Sequence, residues 1–95
     1  MSATTKPKFE LGQLVATPGA REALSRNRTD EHQFVHRHHS GDWGDVGSGA
    51  GLENECAISQ SQQILSAYTL DDGPRVWIIT EADRSATTIL LPEEY

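Results

Sequence analysis

Ninety-five residues, 36% of them hydrophobic, with a mean hydropathy of -0.54, suit one small domain with a modest core and leave no room for a second. No apolar run approaches the roughly 18–20 residues that span a bilayer, and Met1–Lys8 lacks the apolar segment of a secretory signal, so the sequence reads as cytoplasmic with no membrane partner. The net charge of -6 is unevenly spread: residues 1–40 carry six basic and four acidic side chains (+2), and residues 41–95 carry two and ten (-8), a balance that repels phosphate backbones, argues against direct nucleic-acid binding and favours a protein partner with a basic surface.

Residues 1–8 are polar and aperiodic and are expected as a mobile tail, with residues 9–95 forming a single α+β domain. The short apolar run Leu14–Ala16 is a candidate edge strand. Thr17-Pro18 then gives an N-cap followed by a residue whose fixed φ suits the first helical position, so a helix over Pro18–Arg26 is predicted, turning Ala20, Ala23 and Leu24 to one side. Thr29 is the expected cap of a second helix, with Asp30 and Glu31 at its positive end, Phe34, Val35 and His38 on one face, and Gly41 as its stop. Five glycines within Ser40–Gly51 predict a loop pinned by Trp43. A third helix is expected over Leu52–Ser61, with Leu52 and Cys56 on one face; Cys56 has no partner for an internal disulfide or a CxxC site and reads as a small half-buried apolar residue. Gln63–Thr69, Arg75–Glu81 and Ala86–Leu91 are rich in β-formers and separated by turn residues, which predicts a C-terminal three-stranded antiparallel meander. The fold class is therefore α+β, two or three short helices on a small antiparallel sheet.

Several segments together resemble a known family. These are FELGQLVATPGA (Phe9–Ala20), Gly41-Asp42-Trp43-Gly44, Ser66-Ala67-Tyr68, WIITEADRS (Trp77–Ser85) and TTILLP (Thr87–Pro92). They look like the small "plasmid-related" proteins of bacterial plasmids and integrative elements, some of which carry the label of a type I restriction subunit. A methyltransferase needs a Gly-rich cofactor loop in a doubly wound sheet and an Asn/Asp-Pro-Pro-aromatic motif, and neither that motif nor the length is present. The resemblance implies an accessory protein of a mobile element. The chain departs from the family between Val46 and Leu52, where an acidic, helix-like stretch is replaced by Gly47-Ser48-Gly49-Ala50-Gly51.

Three groups of residues could carry chemistry. His32 and His36, four apart, could share a helix face as paired metal ligands do, with Asp42 or Asp45 as a third; without an HExxH glutamate or a cysteine pair, the expectation is no metal, the histidines being suited instead to the negative end of their helix. His38 with Asp42 could form an acid–base pair walled by Trp43, as a small hydrolase or nuclease would need; the competing expectation is a tight turn whose Trp43 plugs the gap between helices and sheet. Asp71, Asp72, Glu81, Asp83 and Arg84 crowd the strand turns and form the expected partner-binding set, although an Asp-Arg turn also orders itself locally. The reading that results is a non-catalytic mobile-element protein acting by protein–protein binding, an acidic inhibitor of a host defence or nucleic-acid-processing complex, with no cofactor. The alternatives are the His/Asp hydrolase or nuclease and a homo-oligomer built on a spare sheet face.

Overall fold

Local sequence and long-range pairing meet at Thr17. Its backbone N–H completes a ladder with the last strand, donating to Ile89 O at 2.9 Å, while its hydroxyl accepts from Ala20 N at 3.2 Å and opens the first helix. The computed structural model describes residues 9–44, 48–71 and 73–95, with the side chains of 48–53 excepted; the tail expected over Met1–Lys8 and the candidate residues Asp45 and Asp72 lie outside the described residues. The order of elements is β1 (Gln13–Ala16), α1 (Pro18–Arg26), α2 (Glu31–His39), α3 (Ser48–Gln60), β2 (Ile64–Thr69), β3 (Arg75–Thr80), β4 (Ala86–Leu90) and a 3-10 turn (Pro92–Glu94). The fold is α+β, as the patterning predicts.

The sheet has four strands in the order β1-β4-β3-β2. β2, β3 and β4 form the predicted antiparallel meander, and β1 joins it in parallel against β4, with Gln13 opposite Ala86 and Ala16 opposite Ile89. Side chains alternate across a strand, so this register gathers Ile64, Ser66, Tyr68, Val76, Ile78, Thr80, Thr87 and Ile89 on one face. α1 and α2 cover it. Ala20, Ala23, Leu24, Phe34 and Val35 pack with Tyr68, Val76, Ile78 and Ile89 into the main core, and Trp43, Ala57 and Ile64 form a second cluster with Phe9 and Ile58 against it.

Three expectations need correction. The cap of α2 is Asp30, not Thr29: its carboxylate accepts from His32 N at 2.9 Å, while the Thr29 hydroxyl is turned back onto Asn27 O. Helix α3 starts at Ser48, four residues earlier than expected, so the last third of the glycine-rich segment, Ser48–Gly51, is helical rather than loop. Cys56 is exposed. Asn54 and Ala57, three apart, face inward, and Cys56 stands two residues from Asn54 on the opposite side of the helix.

Candidate functional site

Among the described residues His38 is the one histidine that the fold takes fully inside, at 0% exposure. The spacing of Phe34, Val35 and His38 on α2 turns all three toward the sheet. There the ring meets two hydroxyls, one from each of two strands: Nδ1 lies 2.5 Å from Ser66 Oγ on β2, and Nε2 lies 2.8 Å from Thr80 Oγ1 on β3. Thr80 Oγ1 is 2.8 Å from Thr87 Oγ1 on β4, and Thr87 donates to Leu11 O at 2.7 Å.

The terminal carbonyl sets the order of donors in this chain. A carbonyl only accepts, so the Thr87 hydroxyl must donate to Leu11; Thr80 must then donate to Thr87 and accept from His38 Nε2–H, and in the neutral ring that burial favours Nδ1 is left to accept from Ser66. His38 is thus the Nε2–H tautomer, neutral, and every polar atom of the row is paired. Burial first, and the neighbouring His39 second, push its pKa down to about 3. Ser66, His38 and Thr80 share the outline of a nucleophile, a base and an orienting group, but Ser66 and Thr80 are also at 0% exposure. In this conformation no substrate reaches them. The row joins α2 to three strands.

The predicted pairing of His38 with Asp42 does not form a site. Asp42 faces outward, where Arg37 Nε and Nη2 donate to its two carboxylate oxygens at 2.7 and 3.3 Å; this guanidinium holds the carboxyl below its usual range. A shallow depression of about 380 Å³ beside it is lined by His36, Arg37, Ser40, Gly41 and Asp42, and His38 is not in its wall. Trp43 follows the structural expectation: it is 9% exposed, stacked on Phe9 at 6.2 Å and edge-on to His38 at 5.9 Å. Its carbonyl accepts from Ala67 N at 3.1 Å. The Tyr68 hydroxyl donates to Asp42 O at 2.6 Å, and burial raises the pKa of that phenol to about 12.

His32 and His36 both lie on the exposed side of α2. His32 Nδ1 is 3.0 Å from Asp30 Oδ1. No group of three metal-ligating side chains occurs among the described residues.

The expected partner-binding residues fall into two places. Successive turns of a meander lie at opposite ends of the sheet, so Asp71 is at one end and Glu81, Asp83 and Arg84 are at the other, about 20 Å away along six residues of β3. Asp71, Glu81 and Asp83 are exposed, and none pairs with a basic side chain among the described residues. Arg84 differs. Its Nη1 donates to Gln62 O, Glu81 O and Ala82 O at 2.7, 3.1 and 3.2 Å, and its Nη2 to Ala57 O at 3.0 Å. It therefore neutralises the carbonyl-rich end of α3 and ties the β3–β4 turn to it. Asp83 accepts from Ser85 N at 3.0 Å, the turn geometry expected of an Asp there.

Sequence reasoning missed Ser66, Thr80 and Thr87 as partners of His38, and Asn54, whose side-chain amide bonds both N–H and C=O of Leu65. A signal for the first three existed: each is a small hydroxyl at an inward position of an otherwise apolar strand. Comparison with protein-family models, curated proteins and solved structures finds no match for this chain.

Proposed function

We propose that this is a non-catalytic, cytoplasmic accessory protein of a mobile element that acts by binding a protein with a basic surface, as an acidic inhibitor of a host defence or nucleic-acid-processing complex. The mobile-element part of this reading rests on the resemblance of Phe9–Ala20, Trp77–Ser85 and Thr87–Pro92 to the plasmid-related proteins. The observation that carries the binding part is the contrast between an inaccessible Ser66–His38 pair and exposed carboxylates on the turns that meet no basic side chain among the described residues. Exposed carboxylates that meet no basic side chain contribute little to a fold but set the field that a basic surface meets. No helix among the described residues is long and apolar enough to cross a membrane.

Because the acidic turns are at opposite ends, one partner surface engages one end. Affinity purification from the native host should yield a stoichiometric protein partner. Glu81→Lys with Asp83→Lys, and separately Asp71→Lys with Asp72→Lys, should then identify the end that binds: one pair weakens the complex and flattens its salt dependence, and the other does not. Equal binding by both variants at low and high salt would sink the acidic-surface reading.

A further inference from the structure

The two edges of the sheet are finished differently. On β2 the residues bonded to β3 are the even-numbered ones, so Leu65 and Ala67 direct their backbone groups outward. Those groups are occupied: Asn54 Nδ2 donates to Leu65 O at 2.6 Å, Leu65 N donates to Asn54 Oδ1 at 3.1 Å, and Ala67 N donates to Trp43 O at 3.1 Å. A side-chain amide and a loop stand where a fifth strand would be. On β1, Gln13 N and Thr17 N donate to Ser85 O and Ile89 O at 3.0 and 2.9 Å, so that parity faces β4 and the N–H and C=O groups of Leu14 and Ala16 point away from the sheet. Among the described residues only Arg21 reaches this edge, its Nε lying 3.5 Å from Ala16 O. Gln13–Ala16 carries no Pro, no charge and no bulge, and shortness is the only one of the usual protections it has.

Apolar surface converges on the same edge. Val15 is 41% exposed, one of two large hydrophobics standing out of the surface among the described residues, and the partly buried rim of the main core includes Leu14 and Ala16 on β1 and Leu11 just before it.

We propose that β1 is a self-association edge, where a second copy of this chain adds antiparallel about a two-fold axis through Val15 and extends the sheet to eight strands. The symmetry of the outward groups, which apart from the long Arg21 contact have no partner among the described residues, selects a second copy. Leu14 and Ala16 lie one on each side of Val15, so setting Val15 against the Val15 of the other copy brings Leu14 opposite Ala16 twice. Each such pair exchanges two N–H···O=C bonds and leaves no outward group of β1 unmatched. The valines then occupy the non-hydrogen-bonded position, where facing side chains are closest. Leu11–Ala20 holds no ionisable side chain, so a chain of net charge -6 can meet its copy there without opposing like charges. Beyond the strand, Glu10 flanks one end and Arg21 the other, and antiparallel pairing turns these opposite charges toward each other. This proposal is independent of the binding function above, which uses the turns.

Sedimentation of the whole protein from micromolar to submillimolar concentration tests it, together with Val15→Lys and Ala16→Pro; the first puts a charge on an exposed position, and the second removes an outward donor. We expect a monomer–dimer equilibrium weakened about tenfold or more in both variants, with unchanged circular dichroism. In a Cys56→Ser background, Val15→Cys should cross-link into a covalent dimer under mild oxidant faster than Gln13→Cys, because only position 15 faces itself across the axis. A protein that stays monomeric throughout, a dimer indifferent to Val15→Lys, equal cross-linking at positions 13 and 15, or an edge that takes up a foreign extended peptide as a monomer would each overturn the proposal.

Discussion

A histidine held neutral in the interior makes folding depend on pH through the unfolded chain. Free of the fold, His38 titrates near 6.5; folded, it does so at about 3. Its contribution to stability is therefore fully present above pH 6.5 and falls as pH drops from there toward 3, by about 1.4 kcal/mol per pH unit, because only the unfolded state accepts the proton. The carboxyls whose pKa the fold lowers, Asp30, Asp42, Asp83 and Glu94, act only once pH nears their ordinary values of 3.8 to 4.5. Among the groups whose pKa the fold is seen to shift, only His38 acts in the window from pH 6.5 to 5. Urea denaturation across it should show the slope in the native protein and lose it in His38→Gln, whose amide can still accept from Ser66 and donate to Thr80. A slope that survives the substitution would mean that other groups set it. Trp43→Ala should cost roughly 3 to 5 kcal/mol in the same assay, as truncation of a buried Trp does; a loss below about 1 kcal/mol would mean the ring is not part of the core. His38 could be placed from the sequence, since its spacing from Phe34 and Val35 marks an inward helical face. Its tautomer could not, because the hydroxyls that set it are 28 and 42 positions away.

At the level of elements, most boundaries were legible where local chemistry decides them: α1 runs over Pro18–Arg26 as its Thr17-Pro18 start predicts, and the three C-terminal strands lie between their turn clusters. α3 was not. Its glycines favour a loop, yet helix continues through Gly49 and Gly51, and the segment is held from its far end by tertiary contacts: Asn54 on the β2 edge and Arg84 on the last carbonyls. Asn54→Ala should therefore lower stability by about 1 to 3 kcal/mol, since it strips both backbone groups of Leu65 of their partners. Arg84 permits a sharper decision. Lys cannot reproduce a guanidinium fork that serves four carbonyls, so Arg84→Lys should lower the melting temperature while leaving partner binding unchanged. The opposite pattern, normal stability with lost binding, would return Arg84 to the docking surface. Gly44 is fixed by both geometry and space: its φ is +74°, and a Cβ there would run into Ala67 O and the Tyr68 ring, so a side chain at this point would lift the Trp43 segment off the sheet edge.

For the whole molecule, the acidic turn residues look like one group in sequence because two hairpin turns recur within a dozen residues, and the meander sets them at opposite ends of the sheet. The histidine pair is similarly diminished by context. With His32 and His36 on the outer side of α2 and no third ligand grouped with them among the described residues, adding zinc should not raise the melting temperature; a stoichiometric rise abolished by His32→Ala would require a metal reading. The parallel pairing of β1 with β4 also has a consequence for how the protein is made. Among the described strands, β1 is made before the other three and its partner β4 after them, and contacts such as Thr17 with Glu94 join residues 77 positions apart. Until β4 emerges, Leu14, Val15 and Ala16 are an unpaired apolar segment in every nascent chain, and closing so long a loop is slow relative to local hairpin formation. Synthesis interrupted before Ala86 should leave this strand without its neighbour, and such fragments should be the species that chaperones hold and that aggregate first.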